Sequence, residues 1–216
     1  MGKKEFIFVI CAHSDDQILG PGGTLAKYAK EGKEIFTIIF SYGETSHFWL
    51  KKKVSAEIRV KEAQAADKVI GGSGVVFFGL KEGKFLEETE NKKIKTRLKK
   101  LIKEKKPIKI FTHSVDDAHN DHRAVYKIVT ELTEDIKYKG DLLSFDIWHI
   151  MDLKKREKPK LYVDITPTFK IKLKALKCFK SQRLAMLFPY IIVYINMFIN
   201  GLKNDCKYAE KFYKIK

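Results

Sequence analysis

His13, Asp15 and Asp16 stand together early in the chain, just after a short apolar run. Much later, after another apolar run, come His119, Asp121 and His122. Two imidazoles and one carboxylate are a ligand set for catalytic zinc, with the fourth position left to water. A second carboxylate beside such an ion can take a proton from the water, whose pKa falls to about 7. The chemistry on offer is hydrolysis at a metal centre. Taken alone, His13-Ser14-Asp15-Asp16 also reads as a turn whose aspartates cap the next helix. His119 and His122 alone read as an exposed helix start, with Asp121 at the positive end of the dipole. The pairing of the two stretches favours the metal. His119 and His122 are three apart at the start of a predicted helix and share a face. Asp117 crowds the same region, and a carboxylate beside a ligating histidine fixes its tautomer. Spacing leaves open which of Asp15 and Asp16 binds: one must ligate, and its neighbour is then free to act as base.

The elements that must position these residues alternate between strand and helix. Residues 5–11 (EFIFVIC) form an apolar run suited to a strand buried on both faces. Residues 21–31 follow as a helix closed by Gly32. A strand is expected at 34–41, a helix at 54–70 ended by Gly71-Gly72, and a strand at 75–78. A basic helix covers 89–105 before Pro107, then a strand 108–113 and a helix 120–136. Further strands are expected at 143–149 and 160–164, then a helix to about residue 180 with Thr166 as N-cap and Pro167 in its first turn. Such alternation means a parallel sheet with helices on both faces. Ligands bind beyond the carboxyl ends of strands in sheets of this type, and both His/Asp stretches follow strands directly.

A chain of 216 residues with 44% hydrophobic residues can bury the core of one α/β domain, and no linker or repeat divides residues 1–216. The net charge of +16 suits nucleic acid, an anionic membrane or a phosphorylated substrate, but equally a solvated lysine-rich surface. No nucleic-acid-binding motif is present, and no nucleic acid is expected as partner. Three cysteines without a CxxC fit a reducing compartment, and the first apolar run is too short for a signal peptide. A cytoplasmic protein is expected.

The sequence resembles the LmbE-like, PIG-L-type N-deacetylases, whose signature is A-H-P-D-D-E near the N-terminus and a later H-x-D-H. Here these read Ala12-His13-Ser14-Asp15-Asp16-Gln17 and His119-Asn120-Asp121-His122. Gly20-Pro21-Gly22-Gly23-Thr24 looks like the family's glycine-rich entry to the first helix, and Gly43-Glu44 like its Gly-Glu after the second strand. Arg59-Val-Lys-Glu62-Ala is similar to R-x-x-E-A. Lys174-Ala-Leu-Lys-Cys-Phe-Lys-Ser-Gln182 resembles K-x-x-A-L-x-C/A-x-x-S-Q, and Tyr208-Ala-Glu-Lys-Phe212 resembles A-E-x-F. The resemblance implies a Rossmann-like fold and a zinc site of His13, Asp16 and His122. It implies Asp15 as general base and His119 as a protonated imidazole that stabilises the oxyanion, oriented by Asp121. Arg59 and Glu44 are the implied substrate-binding residues. The implied substrate is an N-acetylglucosamine-type sugar or its conjugate. A two-histidine, one-carboxylate set also serves iron(II). Ser14 stands where the family has proline and Gln17 where it has glutamate; neither removes a ligand, and metal binding is expected to survive both.

Other features admit two readings each. Arg59 either faces substrate or pairs with Glu62. His47, Phe48 and Trp49 either stack on a sugar or cover the core. His113 is expected behind the ligands or in packing, and His149 in a structural role. Residues 184–199 are the most apolar stretch but fall short of the roughly twenty residues of a membrane span. A buried helix or helix pair is expected there; an oligomer interface, a substrate wall or membrane-surface contact is the alternative, the last supported by Lys177, Lys180, Arg183 and Lys203. The competing functions are a metal hydrolase of another bond, such as a phosphoester, and a non-catalytic member of the family that still holds metal.

Overall fold

The computed structural model describes residues 4–45, 51–91, 93–147, 159–183 and 187–216. The first half runs β1 (Phe6–Cys11), α1 (Asp16–Leu19), α2 (Gly22–Lys30), β2 (Glu34–Ile39), α3 (Lys52–Ile70) and β3 (Val75–Phe77). Then come α4 (Phe85–Asn91), α5 (Ile94–Lys105), β4 (Lys109–His113), α6 (Asn120–Asp135) and β5 (Asp141–Phe145). The chain ends with β6 (Lys160–Asp164), α7 (Phe169–Leu176), α8 (Leu187–Leu202) and β7 (Ala209–Lys214).

The strands form one sheet in the order β3-β2-β1-β4-β5-β7-β6. β1 to β5 are mutually parallel, and β7 runs antiparallel to both β5 and β6. The two-residue period of β1 sends Ile7, Val9 and Cys11 into one apolar cluster and Phe8, Ile10 and Ala12 into the other. α2, α3, α7 and α8 cover the first face through Leu25, Ala63, Ala66, Leu176 and Val193. α4, α5 and α6 cover the second through Phe85, Leu98, Val125 and Leu132. The mostly parallel, Rossmann-like sheet with helices on both faces is what strand–helix alternation predicts.

Several elements differ from expectation for local reasons. The helix expected over 89–105 is two helices, α4 and α5, broken before Ile94 by Lys93 at φ 52°. β5 starts two residues earlier than expected, and 148–149 lie outside the described residues. α7 begins at Phe169 with Thr168 at its N-cap, and it ends at Leu176 rather than near 180. Thr166 instead accepts the backbone N–H of Tyr208 at 3.2 Å. The apolar stretch continues as a single helix from Leu187, with Pro189 in its first turn, where the missing N–H costs no helical bond.

β7 was not foreseen, because Glu210 interrupts its apolar pattern. That glutamate is 4% exposed and accepts the backbone N–H groups of Gly23 and Thr24 at 2.8 and 2.7 Å. Its partner is Lys172 at 2.6 Å, whose ammonium also donates to Leu19 O and Gly20 O. Lys172, not Lys174, thus occupies the K-x-x-A-L position, because it stands three residues before Ala175-Leu176. The pair ties α7 and β7 to the entry of α2. A Cβ at Gly23 would lie 2.8 Å from Ile165, so only glycine lets α2 start this close to the end of β6.

Candidate metal centre

β1 lies between β2, reached by one crossover, and β4, reached by the later ones, so the sheet order reverses at β1. A crevice forms beyond the carboxyl ends of strands at such a reversal. His13, Asp15 and Asp16 leave β1 there, and His113 closes β4 beside them. The turn after β4 delivers His119, Asp121 and His122 on the first turn of α6.

The turn after β1 is held by its own carboxylate. Asp16 Oδ2 accepts the backbone N–H of His13 at 2.7 Å. Gln17, fully buried, donates its side-chain amide to Ser14 O at 3.0 Å. An amide can make that bond and a carboxylate cannot, so Gln17 restrains the turn that Ser14 leaves without a proline ring.

His13 Nδ1 lies 3.3 Å from His122 Nε2. His122 Nε2 is 3.4 Å from Asp16 Oδ1, and His13 Nδ1 is 3.6 Å from Asp16 Oδ2. Tetrahedral ligands about 2.0–2.2 Å from zinc lie about 3.3–3.6 Å from one another; the two ring nitrogens meet that spacing, each with one Asp16 oxygen close by, so the set could hold a single ion. The opposite nitrogen of each ring faces a carboxylate: His122 Nδ1 is 3.0 Å from Asp117 Oδ1, and His13 Nε2 is 3.3 Å from Asp121 Oδ2. Asp117 also accepts the backbone N–H of His119, and Asp121 that of Gly83, each at 2.9 Å. Carboxylates so placed fix which ring nitrogen is offered to a metal. Two other His/Asp clusters stand nearby, His113–Asp117–His122 and His13–His119–Asp121. In the first, His122 Nδ1 is turned to Asp117; in the second, His119 Nδ1 accepts the Asp121 backbone N–H at 3.1 Å.

Electrostatics point the same way. Burial disfavours a cation at His13, but the carboxylates of Asp121 and Asp16 outweigh it and raise its pKa to about 10. At His122 burial is likewise overcome by Asp16 and Asp117, to about 9. Burial resists ionisation of Asp16, yet His122 and His113 hold its carboxyl well below the usual range. The pocket thus favours positive charge at these donors, and an incoming cation would displace ring protons. His113 is the exception: burial, then the charge of His122, lower its pKa to about 4. Its ring stacks on His122 at 3.8 Å and 11°, and its Nε2 accepts the Ala12 N–H at 3.0 Å. It is a neutral wall behind the donors.

Asp15 is 5% exposed and its Oδ2 accepts from Arg59 Nη2 at 3.0 Å. Arg59, 2% exposed, also lies 3.8 Å from Glu62 Oε2. Both of its sequence readings therefore have a physical basis, since Nε and Nη1 are buried without a hydrogen-bond partner among the described residues. Glu62 in turn accepts from Ser181 N and Oγ, each at 2.7 Å. His119 is exposed at the N-cap of α6. Burial and the charges of His13 and His122 lower its pKa, and the bond at Nδ1 puts the proton of the neutral ring on Nε2. His119 is thus held by the backbone N–H of Asp121, with Nε2 left as its free donor, while the Asp121 carboxylate faces His13.

Glu44 stands within electrostatic reach of Glu82, with Oε2 buried and without a hydrogen-bond partner among the described residues. Glu82 was missed from the sequence: it accepts from Ser41 Oγ at 2.8 Å, and the charges of His13 and Asp121 reach it. Only the tertiary path of the loop after β3 brings it there. His47, Phe48, Trp49 and His149 lie outside the described residues.

Comparison with known proteins adds family and fold. A family model described as "PIG-L: GlcNAc-PI de-N-acetylase" matches residues 8–133. A 4-oxalmesaconate hydratase of Pseudomonas putida is 25% identical over 191 residues, which cover 81% of this chain and 72% of that protein. The N,N'-diacetylchitobiose deacetylase of Pyrococcus horikoshii superposes with a TM-score of 0.80 at 22% identity, covering 98% of this chain and 84% of the other. The zinc-inhibited form of teicoplanin deacetylase Orf2 gives 0.78 at 13% identity, with 97% of each chain covered. At these identities the two structures attest the fold. The family match spans more than half of the 216 residues and every donor from His13 to His122, and on it the chain belongs to the PIG-L family.

Proposed function

We propose that this protein is a metal-dependent N-deacetylase acting on an N-acetylated amino sugar or its conjugate, with zinc as the first choice of ion and iron(II) as the second. The observation that carries the reading is the donor set: His13 Nδ1, Asp16 and His122 Nε2 at the separations of one ion's ligands, with Asp15 beside them. When bound, the ion supplies Lewis acidity to a water and to the acetyl carbonyl. Asp15, positioned by Arg59, accepts the proton of the attacking water and passes it to the departing amine. His119 donates Nε2–H to the carbonyl oxygen as negative charge develops there. Asp121 and Asp117 hold the rings of His13 and His122 in the ligating tautomer. Arg59 Nε and Nη1, and Glu44, are the donors and acceptor offered to substrate hydroxyls. The names of relatives support the reading, since two of the similar structures are deacetylases of acetylated sugar or glycopeptide compounds. The three unpaired thiols support a reducing, cytoplasmic setting.

A second reading, addition of water to an unsaturated dicarboxylate, is favoured by the hydratase relative and by the buried, partly unpartnered guanidinium of Arg59, which suits a carboxylate. The test is acetate release from a panel of N-acetyl amino sugars, run beside water addition to unsaturated dicarboxylates followed by ultraviolet absorbance. Acetate release without water addition is expected. Water addition without acetate release replaces the first reading with the second.

A further inference from the structure

α8 carries no charge, and apart from Asn196 and Asn200 its sides are apolar or aromatic. One side buries Pro189, Ile192, Val193, Met197 and Gly201 against the sheet. The other carries Leu187, Phe188, Ile191, Tyr194, Phe198 and Leu202, which are 45% to 64% exposed. Among the described residues Phe169 and Tyr208 touch Tyr194, and the other side chains of that face stay open. A contiguous apolar face of this kind marks an interaction surface. At 16 residues the helix is about 24 Å long, and no helix among the described residues is long and apolar enough to cross a membrane.

The charge of the chain segment that carries it is one-sided. From residue 165 to residue 204 there is no Asp or Glu. Lys170, Lys174, Lys177, Lys180, Arg183 and Lys203 in that segment are all exposed, while Lys172 is buried on Glu210. α7, which carries Lys170 and Lys174 and ends just before Lys177, lies against α8: Tyr190 donates to Leu176 O at 2.9 Å, and the rings of Phe169 and Tyr194 are 5.9 Å apart. An uncharged apolar helix beside a purely cationic one complements a surface that is apolar below and anionic above.

We propose that α8 docks flat on an anionic membrane surface, its exposed face entering the headgroup boundary while the neighbouring lysines meet lipid phosphates. A symmetric contact with a second copy through the same face would set two cationic rims against each other, which disfavours it. Tyr190, in the first turn of α8, lies within electrostatic reach of Asp15 and Arg59.

The test is flotation of the whole protein with vesicles of phosphatidylcholine, with or without phosphatidylglycerol. Binding to the anionic vesicles should exceed binding to the neutral ones by roughly tenfold and fall with salt. Ile191→Ser with Phe198→Ser should abolish it at an unchanged melting temperature, and Lys174→Glu with Lys177→Glu should abolish the preference for phosphatidylglycerol. Absence of binding to either vesicle overturns the proposal, as does binding indifferent to the serine substitutions. So does a dimer of the parent, seen by light scattering, that the serine substitutions dissolve. Binding is read without turnover, so its outcome is separate from the reaction assigned above.

Discussion

Asp15 and Asp16 are adjacent in the chain and differ in everything around them. Asp16 turns into a nest of imidazoles and the His13 N–H, while Asp15 turns to Arg59. That division gives the residue-scale predictions. Asp15→Asn should keep the ion and lower kcat by about 10²–10⁴, measured by single-turnover acetate release beside metal analysis. Asp117→Asn, which weakens the carboxylate behind His122, should lower metal affinity about 10–100-fold in a chelator competition. The histidines and aspartates themselves were legible in the sequence, because ligand chemistry limits the residue types and a helix start limits the spacing. The partnerships were not. That Asp121 faces His13 and not His119, and that Glu82 approaches the site, depend on rotamers and on a loop from another strand. The departures Ser14 and Gln17 also made sense only when the amide of Gln17 was found on the carbonyl of Ser14.

At the scale of elements, two buried charges hold helices to the sheet in different ways. Asp67 on α3 accepts from Thr37 on β2 at 3.2 Å, and burial lifts its pKa to about 6 against that bond. A carboxyl raised above its unfolded value of about 3.9 favours the folded state when protonated, so this contribution is present at acid pH and is lost as pH climbs to about 6. Asp67→Asn should raise stability at pH 7 by about 1–3 kcal/mol in urea unfolding, with little gain at pH 4. Lys172 and Glu210 make the opposite case, a closed pair with its remaining bonds on backbone groups. Lys172→Met should cost about 3–5 kcal/mol by leaving Glu210 buried alone, and adding Glu210→Gln should recover part of it. The strands that position the centre were readable as apolar runs. β7 was not, since the residue that makes it important is the charge that hides its pattern. α8 was readable as an apolar segment, but which side stays exposed is decided by packing.

For the whole molecule, the centre is a joint between two halves of one sheet, the strands on the β2 side of β1 and those on the β4 side. An ion held by His13 and Asp16 from one side and His122 from the other, as proposed above, would crosslink them and would bind only when they are assembled. Removing it with a chelator should lower the melting temperature, and returning zinc should restore it. The parallel sheet with helices on both faces was legible from strand–helix alternation; the antiparallel edge was not, because β7 arrives last and inserts between β5 and β6. The central claim is tested most directly by metal analysis of the purified protein and of His122→Ala, with acetate release assayed on the same samples. One divalent ion per chain and acetate release in the parent, both lost in His122→Ala, is the predicted result. A parent without stoichiometric metal, or acetate release that persists in His122→Ala, would contradict it.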